Sequence, residues 1–78
     1  MHQRSAADLK KGESGVIIGF SDNYISLKLM EMGCLPGAEI TMNFAAPLGD
    51  PLAFYVAGYN LTMRISEASS ILIESKNG

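Results

Sequence analysis

The chain has 78 residues, and its six Lys and Arg are scattered against eight Asp and Glu for a formal charge of −2, which removes the usual electrostatic basis for binding DNA or RNA. A chain this short buries only about 60% of its unfolded surface, so one domain with a thin core is expected, with no room for a catalytic cleft between domains. A single cysteine excludes an internal disulfide, no apolar run approaches the roughly 20 residues that span a bilayer, and no signal-like core opens the chain, so a cytoplasmic protein is expected, one whose hydrophobic fraction of 47% points toward association.

Ser5-Ala6-Ala7-Asp8-Leu9 reads as one capped helical turn, with Ser5 as N-cap and Asp8 in the place of a capping-box acid. A Gly-containing turn then leads into a buried strand from Val16 to Phe20. Ser21-Asp22-Asn23 supplies the next cap, and Asn23 to Met32 is predicted to be a helix that Gly33 stops in the left-handed position. Ile25, Leu29 and Met32 fall at i, i+4 and i+7 and make its core stripe. Leu27 and Met30 lie on another side, with Tyr24 beside them, and form a second apolar patch; Lys28 and Glu31 take solvated positions.

Leu35-Pro36-Gly37 is a turn, after which Ile40, Met42 and Phe44 alternate inward with Glu39, Thr41 and Asn43 outward. Ala46-Pro47-Leu48-Gly49-Asp50-Pro51 cannot be strand or helix interior, because each proline fixes φ and donates no hydrogen bond. It is a shaped connection, packed or kept for a partner, and Asp50 is expected to lock it by accepting a backbone N–H. Leu52, Phe54 and Val56 alternate next, Gly58 reverses the chain, and Tyr59, Leu61, Met63 and Ile65 alternate again. Ser66 to Ser69 is a short turn or helical step before a last strand from Ile71 to Glu74, and residues 75–78 are expected to fray. Five short strands remove their edges most readily by closing into a barrel, with the helix over one end. The expected fold is therefore mainly β, one domain over residues 1–78, with one inserted helix and a short N-terminal helical turn.

Lys11-Gly12-Glu13-Ser14-Gly15, Leu29 to Gly37 with its Met-Gly-Cys-Leu-Pro-Gly, the Ala46 to Pro51 loop, Gly58 to Arg64 and Glu67-Ala68 occur in an order and spacing that resembles the FeoA family of bacterial ferrous iron transport accessory proteins. The resemblance covers nearly the whole chain. It implies an SH3-like β-barrel and a cytosolic accessory protein that acts beside FeoB, a membrane Fe(II) transporter with a cytosolic GTPase domain, reaching the membrane through that partner only. The same fold forms the C-terminal barrel of DtxR-type metal-dependent repressors, so the alternative is a metal-responsive sensor or Fe(II) carrier. Cys34 departs from the family pattern, where an aliphatic or aromatic residue is commoner.

His2, Glu31, Cys34, Asp50 and Glu67 are the conceivable metal ligands, yet no pair has a recognised ligand spacing, so no metal site and no cofactor are assigned. Cys34 is expected to be a core or half-buried residue, Met32, Met42 and Met63 sit at core-facing periods, and Arg64 is placed to pair with Glu67. No nucleophile-base-orienter set can be assembled, and the glycine-rich turns lack a phosphate-binding Gly-Lys-Ser/Thr, so catalysis and GTP binding are not expected. Tyr24, Leu27, Met30 and Leu48 are the expected contact residues for the transporter's cytosolic domain, with a second layer of core or a homo-oligomer seam as the other uses of the same patch.

Overall fold

The computed structural model describes residues 3–76. Its core is built on alternation: Ile17 of β1 (Ser14–Phe20), Ile40 and Met42 of β2 (Glu39–Ala45), Phe54 and Val56 of β3 (Leu52–Val56), Met63 of β4 (Tyr59–Met63), and Ile71 and Ile73 of β5 (Ile71–Ser75) are all buried on one side of their strands. The strands form one antiparallel sheet in the order β4-β3-β2-β1-β5.

Helix α1 (Asn23–Glu31) follows β1, and α2 (Ile65–Ala68) joins β4 to β5. Asp22 starts α1 by accepting the Tyr24 N–H at 2.8 Å, which satisfies a donor that the first turn leaves without a partner. Leu29 is the fully buried member of the predicted core stripe, with Ile25 and Met32 packed half-buried beside it. Gly33, at φ 106°, ends the helix, and the Cys34 N–H returns to the Leu29 carbonyl at 3.0 Å. That reversal carries the Cys34 side chain into the core.

The N-terminal segment forms the predicted capped turn, Ala6–Asp8, with the Ser5 N–H donating to Asp8 Oδ2 at 2.8 Å. It also covers the outer side of β5: Ser5 bridges Leu72, and the Ile73 N–H donates to the Arg4 carbonyl at 3.1 Å. The Arg4 guanidinium makes two bonds to the Glu13 carboxylate, at 2.8 and 3.1 Å, and so pins this segment to the turn before β1. Held by that pair and by the Lys10 N–H, Glu13 titrates at about 2.

Three expectations about the strands change. Phe44 points outward and is 58% exposed, because the β2–β3 register slips between Met42 and Phe44 and the bulge moves the later residue to the other face. Ile65 does not extend β4; it opens α2, where Glu67 accepts the Arg64 N–H at 2.8 Å. Ser75 pairs with Gly15, and Lys76 reaches Glu39 at 2.8 Å; residues 77 and 78 lie outside the described residues.

Candidate functional site

With Ile25, Leu29 and Met32 turned to the core, the helical period leaves Tyr24, Leu27 and Met30 on the outer side of α1. Tyr24 is 92% exposed and Leu27 63%, whereas Met30 is half-buried and sits at the margin of the patch. Leu48 is 97% exposed at the tip of the Ala46–Pro51 connection. It is not packed: the Ala46 N–H donates to the Pro51 carbonyl at 2.9 Å and the Gly49 N–H to the Ala46 carbonyl at 2.7 Å, so the neck is closed by backbone and the tip projects.

Asp50 does accept a backbone N–H, but from Ile65 at 3.0 Å, fifteen residues on. It therefore ties the loop to the start of α2 instead of locking the turn locally. Pro51 lines a cleft of about 730 Å³ with Asp22, Ile25 and Lys28 of the α1 side and Arg64 and Glu67 of the α2 side. Across this cleft Lys28 Nζ meets Glu67 Oε2 at 2.7 Å, so Lys28 is exposed yet engaged, and Glu67 pairs with it and not with the Arg64 side chain. The Lys28 bond, then the Arg64 N–H, hold the Glu67 carboxyl below its ordinary range.

Two of the four expected contact residues, Tyr24 and Leu27, thus share one helix face; Met30 flanks it, and Leu48 stands on a loop whose base borders the same cleft as the start of α1. Residues missed from the sequence lie at the other end of the helix. There Met32, Leu35, Tyr59 and Leu61 line an apolar groove of about 530 Å³, with Leu35 51% and Tyr59 68% exposed. Leu35 in its Pro-Gly turn and Tyr59 after Gly58 were legible as turn residues, but only the fold sets the two turns side by side.

The conceivable metal ligands are dispersed. Cys34 is inside the core, where burial pushes its thiol pKa up; Glu31 is exposed on α1, Asp50 binds Ile65, Glu67 binds Lys28, and His2 lies outside the described residues. Among the described residues, no three His, Cys, Asp or Glu gather into a group that could hold a metal ion, and no helix is long and apolar enough to cross a membrane.

Residues 5–75 match the FeoA domain. The chain belongs to the FeoA domain family. This FeoA domain superposes on the solution structure of a FeoA-like protein from Clostridium acetobutylicum with a TM-score of 0.88 and 32% identity, covering 97% of this chain and 90% of that one. It is 26% identical to Stenotrophomonas maltophilia FeoA, solved with zinc and described as an SH3 domain protein, with a TM-score of 0.78 over 91% of this chain and 89% of that one. The fold is accordingly SH3-like, five antiparallel strands with helical insertions. A manganese-dependent transcriptional repressor shares that fold with a TM-score of 0.83 at 12% identity, covering 96% of this chain and 42% of that one. In Porphyromonas gingivalis a 32% identical segment, matched over 87% of this chain, belongs to a fusion of Fe(2+) transport protein A with the Fe(2+) transporter FeoB. This FeoA domain spans 8% of that protein's length. The family is linked to ferrous iron transport.

Proposed function

We propose that this FeoA domain is a non-catalytic, cytoplasmic accessory module of ferrous iron uptake that binds the cytosolic part of a FeoB-type GTPase transporter and modulates it. One observation carries the reading: the P. gingivalis relative has a 32% identical segment and the transporter in one polypeptide. Covalent fusion keeps two modules at high effective concentration, an arrangement suited to domains that touch.

The ionisable groups of this chain favour a binding role over catalysis, since many are spent on structure. Glu13 serves Arg4, Glu67 serves Lys28, Glu39 serves Lys76, and Asp8 and Asp50 accept backbone N–H groups. The Cys34 thiol is buried. The exposed apolar side chains of Tyr24 and Leu27, with Met30 at their edge and Leu48 on the neighbouring loop, are the contact surface in this reading; burying them at a partner removes apolar area from water at about 25 cal/mol per Å².

The test is co-purification of the chain with the transporter's cytosolic domain, with and without GTP, followed by GTP hydrolysis in the reconstituted pair. A complex that changes the hydrolysis rate supports binding and modulation. A complex with an unchanged rate leaves binding and rejects modulation, and failure to associate in either nucleotide state rejects the proposal.

A further inference from the structure

The two outer strands of the sheet are treated differently. The N-terminal segment covers β5, through the Ser5–Leu72 bridge and the bond from Ile73 N–H to Arg4. Strand β4 pairs with β3 alone, and no backbone group of Tyr59–Met63 bonds outward among the described residues. Natural edges are usually blunted by Lys, Pro, a bulge or a cover. The sequence Tyr-Asn-Leu-Thr-Met has no charge and no proline, and its register with β3 runs unbroken from Leu52↔Met63 to Val56↔Tyr59.

Two open spaces border this edge. Tyr59, Asn60 and Leu61 line the apolar groove, and Thr62 and Met63 line the cleft that the Lys28–Glu67 pair crosses. Successive side chains of a strand point to opposite faces, so a space bordered by consecutive residues lies at the strand's edge and not over one face. The end of α1 and the turn after it, Glu31 to Gly33 with Leu35, form the other wall of the apolar groove.

We propose that this apolar groove is a strand-addition site, in which an extended peptide segment of a partner pairs with the free edge of β4 and places alternate apolar side chains between Met32, Leu35, Tyr59 and Leu61. Strand addition takes affinity from main-chain bonds and specificity from pockets for alternate side chains, and the open edge with its groove offers both. Charge defines the segment further. Glu31 is the one charged side chain lining the apolar end; it is exposed and makes no ion pair among the described residues, so the segment carries a Lys or Arg beside it. This site is separate from the outer face of α1 and does not depend on what binds there.

The experiment selects a phage-displayed library of random ten-residue peptides against the full chain and maps the best binder by amide NMR. The expected result is enrichment of alternating apolar residues with one Lys or Arg, shifts centred on Tyr59–Met63, and at least tenfold weaker binding when alternate peptide nitrogens are methylated. Glu31→Lys, at an exposed position, is expected to reverse the selected charge to acidic. Absence of enrichment, binding indifferent to N-methylation, an unchanged charge preference in Glu31→Lys, or shifts away from β4 would overturn the proposal. So would concentration-dependent shifts of the β4 amides without peptide, which would assign the edge to a second copy of the chain.

Discussion

Replacing Gly15 by Ala tests the packing of β1 against β5 at its tightest point. Gly15 is buried and pairs with Ser75; a Cβ there would lie 2.9 Å from Ile73 Cδ1 and 3.0 Å from the Glu74 carbonyl oxygen. Ile73 is 1% exposed and has little room to turn aside, while the Glu74 oxygen is backbone and moves only if the ladder opens. Overpacking of this kind costs about 1–3 kcal/mol. For a domain of this size each kcal/mol shifts Tm by about 4–8 °C, so Gly15→Ala is expected to lower Tm by roughly 5–20 °C. Gly19 in the same strand is the control, because nothing lies within 4 Å of its Cβ position and its φ is not positive. There alanine restricts the unfolded chain and stabilises by about 0.4–1 kcal/mol. Thermal unfolding of both variants by circular dichroism gives the comparison. Equal shifts for the two alanines, or an unchanged Tm for Gly15→Ala, would refute the close approach.

Asp50→Ala removes the acceptor for the Ile65 N–H and is expected to cost about 1 kcal/mol, as loss of a helix cap does, with Asn at the same position retaining most of it; urea denaturation measures both. Glu13 is held at about 2 in the fold against an ordinary 4.5, so its contribution is complete above pH 4.5 and lost as the pH falls toward 2. Arg4→Gln, which removes the partner, is expected to flatten that part of a stability–pH profile. Cys34 is buried with a raised pKa, so a thiol reagent at neutral pH is expected to label it slowly in the native protein and rapidly in denaturant; fast native labelling would contradict the burial.

What was legible in the sequence was what local period and capping determine. The spacing of Ile25, Leu29 and Met32 separated a core face from an outer face of α1, and with it placed Tyr24 and Leu27 at the surface. Alternation located three strands, β2 to β4, but failed at Phe44, because one extra residue in β2 exchanges inside for outside and nothing local announces it. Ile65 keeps the alternation of β4 yet opens α2, where Glu67 stands three residues after Arg64 as the capping acid. The partners of Asp50 and Glu67 lie 15 and 39 residues away, so their bonds depend on topology that side-chain type does not encode. The same holds for the groove at Leu35 and Tyr59, which exists because β4 ends the sheet beside α1.

The central claim is that this FeoA domain engages a FeoB-type transporter through the outer face of α1 and the Leu48 loop. Its most direct test is isothermal titration of the chain into the transporter's cytosolic domain, with Leu27→Asp and Leu48→Asp compared at unchanged circular dichroism. Contact residues at the centre of an interface cost 2 kcal/mol or more when lost, so the account predicts a saturable complex that each substitution weakens by roughly thirtyfold. A complex of wild-type strength formed by both folded variants, or no complex with the unaltered chain, would contradict it.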